Sequence, residues 1–113
     1  MEEFLLIFRQ QHFDNSEVST EEFQVTARKW AEWVGGIKAQ GNLVSEAQRL
    51  DQEGKVLQAG GVITDGPFVE IREILGGFMI IKADNLDEAT TLAHGCPVIE
   101  HGGSVEIRPF FRH

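Results

Sequence analysis

With 113 residues, of which 42% are hydrophobic and 25% are charged, the chain is predicted to fold as one domain over residues 1–113 rather than to be disordered. No apolar run approaches the roughly 20 residues that a membrane-spanning helix requires, so we expect no membrane partner. The net charge of −8 and the scatter of the ten Lys and Arg residues argue against a nucleic-acid partner.

The chain opens with a predicted strand and helix. Residues 4–8 are an unbroken apolar run, which is typical of a central strand. Ser19-Thr20-Glu21-Glu22 is a capping-box pattern and predicts the start of a helix. Trp33 falls at the edge of the helix's apolar stripe, where it would line a cleft or a subunit contact. That stripe, which is expected to pack on the sheet, consists of Phe23, Ala27, Trp30, Val34 and Ile37.

The middle of the chain is predicted to be rich in strands and turns. Residues 43–50 and 55–59 are interpreted as two short strands that pair as a hairpin around residues 51–54. Residues 62–64 then lead into Asp65-Gly66-Pro67, whose turn chemistry predicts that the chain reverses there.

A second strand, a helix and a third strand complete the pattern. The apolar run over residues 78–83 predicts another central strand. Asp84 or Asn85 is expected to cap a short helix, which the Gly95 and Pro97 signals end. The last strand alternates, so Val105 and Ile107 are expected on one face, with Glu106 and Arg108 on the other.

The order of these elements predicts the fold class. Strand, helix, two hairpin strands, strand, helix and strand form the βαββαβ pattern of a ferredoxin-like α+β sandwich with an added hairpin. In this fold the helices cover one face of an antiparallel sheet. Apolar residues on the other face would have to be hidden from water, and a second copy of the chain is the simplest cover. We therefore expect a homodimer.

Residues 62–77 combine turn residues, carboxylates and glycines and form the candidate functional segment. Asp65 is a candidate catalytic base together with Glu70, because two neighbouring carboxylates resist ionising together. The alternative is that Asp65 bonds only the amides of its own turn, and that Glu73 belongs to a solvated rim. Arg9 or Arg108 would supply a fork for a carboxylate. The residues expected to contact a small-molecule ligand are Arg9, Trp33, Phe68, Glu73, Phe78 and Arg108.

Neither a metal nor a cofactor is expected. His12, His94 and His101 lack the i, i+4 spacing of a helical metal pair, and the chain has no phosphate loop, dinucleotide glycine pattern or Gly-x-Ser-x-Gly. The single Cys96 excludes an intramolecular disulfide and is interpreted as a structural thiol in a reducing compartment. Acidic residues follow Met1 and precede the first strand, which does not fit a secretory signal. We therefore expect a cytoplasmic protein.

Five short motifs along the chain resemble one known family. They are Thr64-Asp65-Gly66-Pro67-Phe68-Val69-Glu70, Arg72-Glu73, Leu75-Gly76-Gly77, Leu86-Asp87-Glu88-Ala89 and Gly103-Ser104-Val105-Glu106-Ile107-Arg108-Pro109. Together they resemble the DGPF-domain family of the wider YCII-related group, over nearly the whole chain. The resemblance implies a ferredoxin-like fold that dimerises face to face, in the dimeric α/β-barrel manner, with a cleft between sheet and partner.

The resemblance does not imply one reaction. Most members lack an assigned activity, a few relatives look like small lyases or isomerases acting on ring metabolites, and some accompany extracytoplasmic-function sigma factors. A His–Asp dyad proposed in the wider group is absent, because the comparable positions here are Trp30 and Ala39. Asp65, Glu70 and Glu73 remain as candidate polar groups.

Two functions stay open at this point. One is the binding of a small polar or ring-shaped metabolite at a dimer cleft, with or without lyase or isomerase chemistry through Asp65 or Glu70. The other is an accessory module that works beside a sigma factor. The missing dyad favours binding without turnover.

Overall fold

The computed structural model describes residues 1–11, 20–51, 53–66 and 73–111. The elements in chain order are strand β1 (Glu2–Gln11), helix α1 (Thr20–Ala39), strands β2 (Leu43–Arg49), β3 (Gly54–Leu57), β4 (Ile63–Gly66) and β5 (Glu73–Ala83), helix α2 (Leu86–Ala93), a 3-10 helix (Pro97–His101) and strand β6 (Ser104–Pro109). Four strands form an antiparallel sheet in the order β2-β5-β1-β6, and β3 pairs with β4 in a separate sheet. This architecture is α+β and consistent with the predicted ferredoxin-like fold.

The core lies between the four-stranded sheet and the helices. Alternate residues of β1 enter it, because successive side chains of a strand point to opposite faces. Trp30, Val34 and Leu92 pack against the core from the two helices. The buried cluster itself consists of Phe4, Leu6, Phe8, Ile37, Met79, Ile81, Ala83, Ala89, Cys96 and Val98.

Helix α1 begins at Thr20, within the predicted capping pattern. The prediction of a continuous buried stripe was wrong for its first turns, since Phe23 and Ala27 are exposed whereas Trp30, Val34 and Ile37 meet the core. A helix of 20 residues spans about 30 Å, and here only its later turns overlie the core.

The predicted hairpin pairing was also wrong. Strand β2 joins the main sheet beside β5, whereas β3 pairs with β4 so that Leu57 lies opposite Ile63. The chain reverses between β3 and β4 at Gly60 and Gly61, whose φ angles are 88° and 82°. Glycine adopts positive φ without a steric penalty, so this pair determines where the hairpin forms.

The turn predicted at Asp65-Gly66-Pro67 is not found at its first two residues. Asp65 and Gly66 continue strand β4, opposite Lys55 and Gly54. Pro67 lies outside the described residues. The backbone pairing of β4 therefore extends into the sequence that was interpreted as a turn.

Over the last third of the chain, the structure agrees more closely with the predicted strand, helix and strand. Strand β5 lies between β1 and β2, and α2 is capped by Asn85, whose Oδ1 accepts a hydrogen bond of 2.8 Å from the Glu88 amide. Val105 and Ile107 of β6 pack against the core, as the alternation predicted. The 3-10 helix that starts at Pro97 was not predicted.

Candidate functional site

One face of the four-stranded sheet is covered by the helices, and we call the other the open face. Because Phe4, Leu6 and Phe8 are buried on the helix side, Leu5 and Ile7 point to the open face. Strand β5 adds two residues in register, since Ile80 lies opposite Leu5 and Phe78 lies opposite Ile7. All four are half-buried. We call Leu5, Ile7, Phe78 and Ile80 the apolar patch.

A charged cluster borders the apolar patch along β6. Glu106 lies opposite Ile7 in the β1–β6 pairing, and Arg108 lies opposite Leu5. The Glu106 carboxylate stands between two guanidinium groups, with Arg9 Nη2 at 3.5 Å from Oε1 and Arg108 Nε at 3.7 Å from Oε2. We call Arg9 and Arg108 the arginine pair.

Arg108 is held loosely enough to meet a ligand. Both N–O distances exceed the roughly 2.7–2.9 Å of a strong charge-assisted hydrogen bond. The Arg9 side chain is 22% exposed and the Arg108 side chain is 68% exposed, so Arg108 presents donors to solvent beside the apolar patch. The two arginines and Glu106 carry a net charge of about +1 on a chain whose net charge is −8.

The apolar patch and the arginine pair together have the chemistry to bind a small molecule with an anionic group. A guanidinium donates in a planar fork that matches a carboxylate or a phosphate, and an apolar floor accepts a ring or an alkyl body. The open face is a sheet surface, however, and small-molecule sites are concave. A second surface is therefore needed to enclose a ligand here.

Three of the sequence-selected residues meet on the open face, namely Arg9, Phe78 and Arg108. Trp33 lies on the helix side of the sheet instead. Its Nε1 donates a hydrogen bond of 3.0 Å to the Leu92 carbonyl and thereby ties α1 to α2.

Trp33 is also part of an aromatic cluster that fills the space beneath α1. Its ring centroid lies 6.0 Å from that of Phe8 and 5.7 Å from that of Trp30, and the rings of Phe8 and Trp30 are 5.0 Å apart. All three pairs are edge-to-face, the arrangement that aromatic quadrupoles favour. Trp30, which stands where the resemblance would place a dyad histidine, is thus packed against aromatic rings.

The candidate catalytic carboxylate lies elsewhere. Asp65 is exposed on β4 and lines an open hollow of about 310 Å³ with Glu53, Gly54 and Lys55. Phe68 and Glu70 lie outside the described residues. The backbone of Glu73 begins β5, but its side chain is not among the described ones. Any role of these residues in a ligand site stays a prediction.

Glu106 is the member of the charged cluster that the sequence analysis did not select. The alternation of β6 did place it on the same face as Arg108. Its contact with Arg9 spans 97 positions in the chain, and only the β1–β6 register brings the two together.

Cys96 is buried in the core, and its burial raises the pKa of the thiol to about 11. The thiol is therefore protonated at neutral pH, when a nucleophilic cysteine would need to be a thiolate. This supports its interpretation as a structural residue.

Within the described ranges, no three His, Cys, Asp or Glu side chains lie close enough together to hold a metal ion. None of the described helices is both long and apolar enough to cross a membrane.

Comparison with known families gives one match. A family model described as a YCII-related domain matches residues 36–112. The matched range begins in the last turn of α1 and continues through β6, so it contains Phe78, Glu106 and Arg108 of the open face. No curated protein matches the chain closely enough to count as a relative.

Proposed function

Because this chain belongs to the YCII-related domain family, we propose that it binds a small polar or ring-shaped metabolite in a cleft formed by two copies of the open face. The observation that carries the proposal is the apolar patch beside the arginine pair. A ring would lie on Ile7 and Phe78, and a polar or ionised substituent would meet Arg108. The Asp65-Gly66-Pro67-Phe68 motif further supports placing the chain in the DGPF subfamily.

The charges of the open face favour pairing with an identical copy. Among the side chains that the structure describes on its central and β6-side strands, three are basic and two are acidic, so this part of the surface lacks the strong negative charge of the whole chain. Two such faces can approach with little repulsion, and a two-fold axis makes each the complement of the other. These five side chains are Glu3, Arg9, Lys82, Glu106 and Arg108.

The oligomeric part of the proposal is tested by light scattering at micromolar concentration. A dimer is expected because an apolar sheet face that stays half-exposed is costly in water. A monodisperse monomer would remove the second wall of the cleft and refute the proposal.

The binding part is tested by NMR with benzoate as a probe of a ring that carries a carboxylate. Benzoate is expected to shift the amide resonances of β1, β5 and β6. Arg108→Gln should weaken this binding at least about tenfold, because a hydrogen bond to a charged group contributes roughly 1.5–3 kcal/mol. Arg28→Gln, at an exposed position of helix α1, is the matched control and should leave the affinity unchanged.

Two results would contradict the binding proposal. The first is the absence of benzoate-induced shifts on the open face. The second is an equal loss of affinity in Arg108→Gln and Arg28→Gln, which would attribute binding to overall charge rather than to the arginine pair.

The alternative functions have weaker support. Acid–base catalysis of the lyase or isomerase kind would rest on Asp65, which is exposed away from the apolar patch, and on Glu70, which lies outside the described residues. No contact among the described residues points to a sigma factor. The single cysteine, held as a buried thiol, supports the expectation of a reducing compartment such as the cytoplasm.

A further inference from the structure

Strands β3 and β4 and the turn between them form an arm, residues 54–66. The two strands pair with each other, and within the described ranges neither has more than marginal contact with another helix or strand. Three large apolar side chains of the arm face solvent, with Leu57 71%, Val62 56% and Ile63 62% exposed. An isolated two-stranded hairpin is marginally stable at best in water. The arm therefore needs a packing surface that a single copy does not provide among these residues.

The open face needs more area if it is to form a stable dimer. The four strands of the sheet, β1, β2, β5 and β6, are 10, 7, 11 and 6 residues long. At about 3.4 Å per residue and about 4.8 Å between strands, they cover about 550 Å². This is about two thirds of the roughly 800 Å² that each partner contributes to a standard interface. Sheet-to-sheet contact alone therefore falls short.

We propose that the arm of each copy docks on a second copy of this chain beside its open face, with Leu57 and Ile63 as the contact pair. The inference rests on the proposed homodimer. Leu57 and Ile63 are cross-strand neighbours and thus present one continuous apolar surface. Lys55 and Asp65 balance each other in charge, so the arm can approach an acidic copy without repulsion.

This docking would complete the ligand cleft. Side chains two positions apart on a strand share a face, so Asp65 and Lys55 lie on the same side of the arm as Ile63 and Leu57. When that side rests against the partner, Asp65 comes to the border of the partner's open face. The sequence-selected carboxylate and the arginine pair, which a single copy keeps on separate sheets, would then belong to one site made by two copies.

The first test measures the dimer dissociation constant by sedimentation. Leu57→Ser should raise it at least about tenfold, because a leucine that is buried only in the dimer is lost from each arm. Leu86→Ser is the control, since Leu86 is an exposed leucine on α2, and it should change the constant less than twofold. Equal constants for wild type and Leu57→Ser would overturn the inference while leaving the dimer intact.

The second test locates the arm. The Ala59→Cys variant, changed at the exposed turn, carries a spin label and no ¹⁵N, and it is mixed with ¹⁵N-labelled wild type that carries no spin label. Only contacts between copies can then broaden the observed amide resonances. The buried Cys96 thiol, whose pKa is raised to about 11, should not take the label. Broadening at Ile7 and Phe78 is expected, and the same label on Ala31→Cys of α1 should give none there.

The outcomes separate this inference from the proposed function. A dimer by sedimentation without broadening from the arm label refutes arm docking alone. A monomer under all conditions refutes the homodimer and arm docking together. Benzoate binding in a dimer whose Leu57→Ser variant is unchanged would support the proposed function and reject the trans-acting arm.

Discussion

The two adjacent glycines of β5 should respond very differently to alanine. A Cβ on Gly77 would fall on the carbonyl oxygen of Gln48 and lie 3.3 Å from the Cα of Arg49. Both atoms belong to the backbone of β2 and cannot rotate away, so β2 would have to move from β5. Overpacking costs about 1–3 kcal/mol, and we expect a value near the upper limit.

Gly76 provides the matched control one position away. A Cβ there would meet chiefly the end of the Gln10 side chain, which can rotate aside. Alanine also restricts the unfolded chain, which stabilises the folded state by about 0.4–1 kcal/mol where the backbone conformation allows. We expect the free energy of unfolding of Gly76→Ala to stay within about 1 kcal/mol of wild type.

Thermal melting distinguishes the two variants. At about 4 °C per kcal/mol for a domain of this size, Gly77→Ala should lower Tm by about 10 °C and Gly76→Ala by less than about 4 °C. Equal losses, or a larger loss at Gly76, would refute the idea that β2 approaches β5 closely only because position 77 has no side chain.

Three further predictions concern the helix side of the protein. Trp33→Phe removes the hydrogen bond to the Leu92 carbonyl and part of the aromatic cluster, so it should lower the free energy of unfolding by about 1–3 kcal/mol. Chemical denaturation measures this change, and an unchanged unfolding midpoint would contradict the prediction. Cys96 should react with a thiol reagent at pH 8 much more slowly in the native than in the unfolded protein, because burial raises its pKa to about 11, and equal rates would exclude a closed core there. Lys29 lowers the pKa of Glu100 below 4.5 by a hydrogen bond and by its charge, so this pair stabilises the fold at neutral pH. The stabilisation is lost as pH falls through the lowered pKa, so the Tm difference between wild type and Lys29→Met should shrink in acid. A Tm difference that stays constant with pH would argue against the ion pair.

The parts of the fold that were predictable from sequence depend on local patterns. The start of α1 and the apolar run of β1 depend on a few neighbouring positions, and the structure agrees with both, since α1 begins at Thr20 and β1 spans Glu2–Gln11. Ser19, the predicted capping residue, lies outside the described residues. The partner of β2 was not predictable in this way, because strand pairing depends on which surfaces can be buried together. The positive-φ pair Gly60-Gly61 was the missed signal, while the Asp65-Gly66 dipeptide was given too much weight as a turn.

The candidate site was predictable only where alternation along one strand was sufficient. The alternation of β6 gave the face of Arg108, but its relation to Arg9 required the register of strands that are almost a chain length apart. Trp33 was predicted at the edge of the helix stripe, but its ring packs with those of Phe8 and Trp30 on the helix side of the sheet. Its side of the sheet, opposite to that of Phe78, depends on how the helix packs and could not be read from periodicity alone.

The described parts of the segment selected from the sequence, residues 62–66 and 73–77, have two structural roles. The first residues complete the arm, and Gly77 gives β2 access to β5. Both tasks explain unusual residues without requiring catalysis. The arginine pair lies outside this segment on β1 and β6, so the packing role of Gly77 and the ligand contact of Arg108 should be separable. Gly77→Ala should lower Tm, whereas Arg108→Gln, which changes an exposed side chain, should lower benzoate affinity while leaving Tm nearly unchanged.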